Sequence, residues 1–506
     1  MAQRASSLWL LGAAAMLATM LYAIDSTIVN VALPHIQGTL QATQDQAAWI
    51  VTSYIVVSAI ATPLTGWLGT RYGLRRILSV AIIGFTISSV LCGVATDISE
   101  MVLFRMAQGA FGAALVPLSQ VVLLREFPRE RHARVLAWWG TGVMVGPIIG
   151  PTLGGWLTDT LSWRWAFFIN VPVGVVAGLG ILAALPRDEP DGHRPFDVTG
   201  FVLLSAALGL FQLMLDRGET KAWFESTEIV ACAFLAALGL YMFIVHTLSS
   251  RHPFVDIHLF RDRNFTLSLT IMFIVGLTMI APSVLLPGFL QQLQGYTAAQ
   301  AGVLMAARGA ASVVAMQVGA RLAALIGPRL TMAIGIGATA SSLFMMGHFS
   351  LDTPSHVVIW TSVLQGLGTP LVFMPLMLVG FSTLARQAQT EAGVLMTLLR
   401  NVGSSIGVSA TVALLARSAQ TNQSYLIEHF TAFSTARWQA AGVVPGADSG
   451  TGMLVAEIAR QAAGIAYAND FYLLAASTLI ALPLIVLLRG RRQLPAAKVA
   501  AADLSH

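Results

Sequence analysis

Long apolar runs alternate with short polar or charged turns along almost the whole chain. Fourteen runs read as membrane-spanning helices, at approximately 8–34, 48–68, 77–96, 101–124, 133–157, 165–185, 198–215, 228–248, 265–288, 298–320, 330–349, 356–380, 392–416 and 469–488. Each approaches the ~20 residues that a helix needs to cross the hydrocarbon of a bilayer. Barrel strands would instead give short segments of alternating polarity. Glycine and proline are scattered inside the apolar runs, as they are in membrane helices. Composition supports the same class. The chain is 56% hydrophobic and 10% charged, against about 25% charged in a soluble domain. These values exclude a soluble globular fold, collagen, a disordered chain and a small disulfide scaffold. Cys92 and Cys232 each lie inside an apolar run, so no disulfide framework is implied. The first run starts at Leu8, is too long for a signal-peptide core and lacks a clear cleavage site, so it reads as an uncleaved span.

The net charge of +5 suggests nucleic acid only until the basic residues are placed. Just two are lysines, Lys221 and Lys498, and most arginines fall in short loops. With the amino terminus inside, 20 basic residues lie in inner segments and 6 in outer ones, while Arg105, Arg308 and Arg400 fall within spans. That asymmetry satisfies the positive-inside rule and predicts both termini in the cytoplasm. An odd number of spans would scramble the second half of the split. The positive charge therefore reflects topology, and no nucleic-acid partner is expected.

Most connections are short. The exception is 417–468, an outer segment in which Leu426, Phe430 and Phe433 recur at helical spacing, a Gly/Pro/Ser patch runs from Pro445 to Gly452, and Met453 to Asp470 reads as helical. A long structured loop is more often functional than accidental. An internal repeat is also visible. Gly73-Leu74-Arg75 follows the second span and Gly327-Pro328-Arg329 the tenth, behind Gly66 and Gly319 respectively. Two parallel bundles of six helices would place these loops equivalently, an architecture common among secondary transporters. The expected division is 1–190 for the first bundle, 191–262 for two inserted helices and a linker, and 263–506 for the second bundle with its large outer loop.

Several segments carry a family resemblance. Gly66 to Arg76, with Arg71, Gly73, Arg75 and Arg76, resembles the signature loop of the major facilitator superfamily. Leu103 to Gly109 resembles its fourth-span arginine motif, and Gly142 to Gly155 its fifth-span antiporter motif. Asp25 to Pro34, Trp163 to Pro172 and Leu215 to Glu219 are similar to segments of the fourteen-span, EmrB-type drug:proton antiporters. The resemblance implies an all-α polytopic membrane protein with the major facilitator fold, two six-helix bundles plus two inserted helices. It implies proton-driven export of hydrophobic or amphipathic compounds from a bacterial inner membrane, with the proton gradient in place of any cofactor. It also implies a periplasmic membrane-fusion adaptor and an outer-membrane channel as partners of the outer loop. One position departs from the pattern. The superfamily loop usually has an acid where this chain has Thr70, so the usual cytoplasmic latch is expected to be absent or built differently.

The residues point to particular chemistry. Asp25 is the carboxylate read as lying well inside a span, roughly 14 Å from its outer end at ~1.5 Å per residue. Such a group costs several kcal/mol, on the order of 2–5, unless paired or protonated, which suits it to exchange a proton. The plainer reading is permanent satisfaction by Ser26, Thr27 and Asn30. Arg105, roughly 6 Å below the outer end of its span at ~1.5 Å per residue, is expected to tune Asp25 or to snorkel to the interface. Gln108 lies one turn later and could join it. Gly142, Gly146, Gly150 and Gly154 form a smooth stripe for close helix packing, while Pro147 and Pro151 permit a bend. Gly155 completes the motif. Asn30, Gln108, Arg308 and Arg400 are candidate substrate contacts, with structural pairing as the competing reading for both arginines. An excess of intramembrane cations would favour weakly acidic amphipaths over lipophilic cations.

The chain has no evident phosphate loop, zinc-protease motif or soluble catalytic domain, so no catalytic or metal-binding residue is assigned and ATP is not an evident power source. The expected function is transport. The rivals are a dedicated exporter of an endogenous metabolite or fatty acid, and a membrane sensor or scaffold on a transporter fold.

Overall fold

The computed structural model describes residues 2–128, 131–187, 196–250, 253–385, 388–428 and 448–488. The long helices are α1 (Ala2–Thr39), α2 (Gln44–Tyr72), α3 (Leu74–Val94), α4 (Ile98–Gly112 and Leu115–Glu126), α5 (His132–Thr160), α6 (Trp165–Phe168 and Asn170–Ala184) and α7 (Val198–Arg217). They continue as α8 (Thr227–Ser249), α9 (Arg263–Met279 and Ala281–Gly288), α10 (Ala298–Ile326), α11 (Pro328–Met346), α12 (Ser355–Ser382), α13 (Gln389–Glu428) and α14 (Asp448–Leu479 and Ala481–Leu487). Thirteen are long and apolar enough to cross a membrane. The other, α5, has 29 residues and packs along α1. No strand occurs among the described residues.

The breaks have a common cause. Proline has no N–H to give to the carbonyl four residues back. Pro117 therefore frees the Ala113 carbonyl where α4 divides, Pro172 frees Phe168 in α6, Pro282 frees Thr278 in α9, and Pro483 frees Leu479 in α14. Pro34 does not end α1, which continues to Thr39. Ile36, just beyond it, is fully buried, so packing outweighs the lost bond. In the outer segment Met453 to Asp470 is helical and runs into the last span. α13 runs on to Glu428 and α14 starts at Asp448, so the membrane helices themselves extend outward. Phe430, Phe433 and Pro445 lie outside the described residues.

The repeat is explicit in the caps. Thr43 and Gln46 form a capping box at the start of α2, and Thr297 and Gln300 form the same box at the start of α10. Each helix has 29 residues and ends at a glycine with φ +88°, Gly73 or Gly327. A side chain would be strained at that angle. The following arginines act alike. Arg75 donates to the carbonyl of Leu182, at the end of α6, and Arg329 to that of Leu488, at the end of α14. Each arginine thus ties the third helix of its half to the sixth.

The loops at Gly73 and Gly327 define one face of the molecule, where α1 starts and α14 ends. On this terminal face the two halves meet. Gly66 lies against Val394 and Gly393 against Val121. Gln120 Nε2 reaches Met377 Sδ at 2.7 Å, and Gln317 Nε2 donates to Thr141 Oγ1 at 3.3 Å. A shared core that includes Val116, Trp139, Met272, Met316 and Phe373 joins them. The inserted helices lean on both halves. Gly209 of α7 packs on Ile60, and Ser409 of α13 donates to the Leu215 carbonyl.

Candidate functional site

Five helices of the first half close around one carboxylate. Asp25 on α1 is fully buried, as is Gln108 on α4, while Arg105 on α4 and Asn170 at the start of the longer α6 segment are each 1% exposed. Arg105 Nη1 lies 2.7 Å from Asp25 Oδ2. Gln108 Nε2 and Asn170 Nδ2 donate to Asp25 Oδ1 at 2.8 and 3.1 Å. The guanidinium is held in turn. Its Nη1 donates to Gln108 Oε1 at 2.6 Å, its Nε to the Ile50 carbonyl on α2 at 3.2 Å, and it stacks 4.1 Å over the Tyr54 ring. Ser89 on α3 accepts from Asn170 at 2.9 Å and donates to the Phe167 carbonyl at 2.9 Å. Asn170 therefore has both its orientation and its protons fixed.

This arrangement changes the partners expected for Asp25. Ser26 and Thr27 bond to carbonyls of their own helix, at Ala23 and Ile24. Asn30 is exposed and reaches the Ser26 carbonyl at 3.4 Å. None of the three satisfies the carboxylate, which depends on side chains up to 145 positions away in the chain. Arg105 does not snorkel. Its guanidinium stays beside Asp25. Loss of the carboxylate charge would leave Arg105 buried with only carbonyl, amide and ring partners, a costly state unless the helices move.

The glycine stripe of α5 bears on the other side of the same helix. A Cβ on Gly142 would lie 2.5 Å from Met16 Cγ, and one on Gly154 would lie 2.6 Å from Ile28 Cγ1. Gly146 and Gly150 sit closer still, against Ala23 and Thr27. Gly155 meets only Val31, at an ordinary 3.8 Å, and so stands off the stripe. α1 is thereby gripped between a seam without side chains and the Asp25 network. The side chains of Pro147 and Pro151 lie outside the described ones.

The signature loop packs against the opposite half. A Cβ on Gly66 would meet Val394 Cγ2 at 3.2 Å. Glu391, beside it, accepts from the Asp256 N–H at 2.5 Å. Thr70 turns its hydroxyl back to the Gly66 carbonyl, 3.0 Å away on its own helix. Arg71 stacks near Trp67 and Tyr72, and Arg76 is exposed. Near this loop Asp197, at the start of α7, accepts from the Gly200 N–H, the Phe254 N–H and His246. Burial alone would raise its pKa, but these hydrogen bonds and the His246 charge hold it below the usual carboxylate value.

The two remaining intramembrane arginines separate. Arg308 gives Nη1 to Ser283 Oγ at 2.8 Å and Nη2 to the Met279 carbonyl at 3.1 Å, across the break in α9. It satisfies backbone released by the break. Arg400 reaches only Asn401 Oδ1, at 3.4 Å, and has no carboxylate partner among the described residues. It lines a narrow crevice between the halves with Tyr22, Ser58, Thr62 and Asn401, too tight in this conformation for a drug-sized ligand, which needs about 300 Å³ or more.

Asn170, Ser89 and Tyr54 were not singled out from sequence. Asn170 falls within the Trp163–Pro172 segment, and that segment was the available signal. Asp470 was also missed. It sits at the edge of the last apolar run but is only 3% exposed in the folded chain.

A bundle of apolar helices built from two equivalent halves, with a buried ion pair in one half and a narrow crevice between them, defines a membrane transport protein. Comparison with known proteins gives the family. The profile of the Major Facilitator Superfamily matches residues 15–408. The chain is 35% identical over 432 residues to the multidrug export protein EmrB of Haemophilus influenzae, covering 85% of this chain and 84% of that one. It is 35% identical over 426 residues to the fatty acid resistance protein FarB of Neisseria gonorrhoeae, covering 84% of each. It is 34% identical over 420 residues to EmrB of Escherichia coli K12, covering 83% and 82%. Among solved structures, the human organic anion transporter MFSD10 aligns with a TM-score of 0.60 at 12% identity, over 95% of this chain and 99% of that one. At that identity the likeness speaks for the fold alone. The chain belongs to the Major Facilitator Superfamily, as a multi-pass membrane transporter rather than an enzyme, and its close relatives include the EmrB proteins.

Proposed function

We propose that this protein is a proton-coupled exporter of hydrophobic and amphipathic drugs in a bacterial inner membrane, with its terminal face in the cytoplasm. The observation that carries the reading is the Asp25 site. One carboxylate, fully enclosed, is held by Arg105, Gln108 and Asn170 on helices that must move relative to α1 if it is to reach water. Ionised, Asp25 keeps the five helices gathered. Protonated, it neutralises nothing, and Arg105 gains by moving toward solvent or another acceptor. The glycine seam lets α1 slide against α5 during that change. Contact between the halves on the terminal face corresponds to a cytoplasmic side that is closed. The similarity to EmrB multidrug export proteins supports the direction and the breadth of substrates. The outward extensions of α13 and α14 are the natural docking element for a periplasmic adaptor leading to an outer-membrane channel.

A second reading concerns substrate charge. Arg400 lines the crevice among neutral neighbours, and a relative of equal similarity is named for fatty acid resistance. Weakly acidic amphipaths, fatty acids included, are therefore proposed as preferred substrates.

The deciding experiment is efflux from proteoliposomes under an imposed pH gradient. Asp25→Asn should abolish gradient-driven efflux of a fluorescent substrate while substrate binding stays measurable. Full transport by this variant would place the coupling elsewhere.

A further inference from the structure

A second acid is buried in the other half. Asp470 lies on α14, where helical spacing puts it on one face with Tyr467 and Leu474. Both belong to an apolar cluster with Phe289, Met346, Phe349 and Phe471. The Asp470 side chain is 3% exposed, and its Oδ2 has no hydrogen-bond partner. Among the described residues it makes no ion pair. This is the opposite of Asp25, whose carboxylate accepts three hydrogen bonds.

The groups that could compensate its charge are engaged elsewhere or stand apart. On α14 itself, Arg460 gives Nε and Nη2 to the Leu293 carbonyl at 3.0 and 2.9 Å, and Glu457 pairs with Arg460. On the side of α11, His348 bonds Tyr472 and the Phe344 carbonyl, and Arg329 is tied to Leu488. The facing stretch of α9, residues 281–288, and the turn that follows it to Leu293 carry no ionisable side chain, and Arg263 stands at the helix's other end. On α13, Glu391, Arg400, Arg417, Tyr425 and Glu428 make no bond to it. Tyr467 and Tyr472 are its ionisable neighbours along the helix; the Tyr467 hydroxyl points at Gly288, and that of Tyr472 is bonded to His348. A bare carboxylate in such a place is strongly disfavoured. Among ligands, a proton removes that penalty without needing space.

We propose that Asp470 is a second proton-binding site of the transporter, occupied in this conformation and emptied when the outer ends of α9, α11 and α14 part. This rests on the proton-coupled reading above. It adds one proton to the transport cycle, carried by the second half of the molecule.

The test has two measurements on the full chain. Infrared difference spectra of purified protein in lipid nanodiscs, in the Asp25→Asn background, should show a protonated-carboxyl band near neutral pH. That band should disappear in Asp25→Asn/Asp470→Asn and change frequency in Asp25→Asn/Asp470→Glu. A band unchanged by both substitutions overturns the proposal. The proton-to-substrate ratio, read from the reversal condition in proteoliposomes, should fall by one in Asp470→Asn and hold at the wild-type value in Asp470→Glu. An unchanged ratio in an active Asp470→Asn protein overturns it too. Wild-type transport that ignores the pH gradient would remove the coupling reading itself, a distinct result from coupled transport with an unaltered ratio. If Asp470→Asn fails to fold, the Asp470→Glu frequency change still decides occupancy.

Discussion

Substituting Gly146 by alanine adds one methyl group where the backbone of α1 comes nearest in the α1–α5 seam. The new Cβ would overlap the Cβ of Ala23 and would also lie 3.0 Å from the Ala23 carbonyl carbon and 3.1 Å from the Ile24 nitrogen. The last two are backbone atoms and cannot rotate away. Real side chains keep about 3.4–4 Å from such atoms, so the helices must separate by several tenths of an ångström or more. Overpacking of a closed interior costs about 1–3 kcal/mol. That is roughly a 5- to 150-fold loss in the population of the conformation that carries the strain. Gly155→Ala is the control. Its Cβ would make an ordinary contact at 3.8 Å with Val31, and the effect should stay within about 0.5 kcal/mol. Each variant is compared with wild type by thermal unfolding in detergent and by initial rates of gradient-driven dye efflux. Gly146→Ala should unfold at lower temperature and transport slowly, and Gly155→Ala should match wild type. Equal behaviour of the two variants would refute the argument that Gly146 is required by the approach of α1.

The other expectations follow from the same contacts. Asn170→Leu removes one of three donors to the Asp25 carboxylate, worth about 1.5–3 kcal/mol for a hydrogen bond to a charged group, and should shift the pH of half-maximal transport toward alkaline values. A profile identical to wild type would mean that Asn170 does not hold the ionised form. Arg308→Gln should lower thermal stability by about 1–3 kcal/mol, because the Met279 carbonyl loses its donor, and should leave substrate preference alone. Arg400→Gln should do the reverse and reduce the preference for acidic over quaternary-ammonium substrates in a competition assay. Asp197 has its pKa lowered in the folded chain, so its contribution is present above the unfolded carboxylate pKa and is lost as pH falls through the lower folded value. The stability difference between wild type and Asp197→Asn, measured by thermal unfolding across pH, should therefore shrink in acid, and a difference that grew there would contradict the assigned sign.

What the sequence determined by itself is the one-dimensional layout. Hydropathy marks the spans, because crossing a bilayer demands long apolar stretches. The two Gly-x-Arg turns mark the repeat, because a positive φ after a long helix selects glycine. The motifs mark the family, and Asp25 and Arg105 stand out because charge is expensive inside a membrane. Tertiary structure decided which way each side chain faces. In a soluble helix polarity tells the inner face from the outer, but here lipid and protein interior are both apolar, so periodicity carries little about orientation. That is why Asn30, a neighbour of Asp25 along the chain, reads as its partner, whereas the fold turns Asn30 outward and brings Asn170 to 3.1 Å. It is why Arg308 and Arg400 read alike along the chain, although one fills a helix break and the other lines a crevice. Asp470 belongs to the same class. At the edge of an apolar run it looks interfacial, and only the packing of α9 and α11 around α14 takes it out of water.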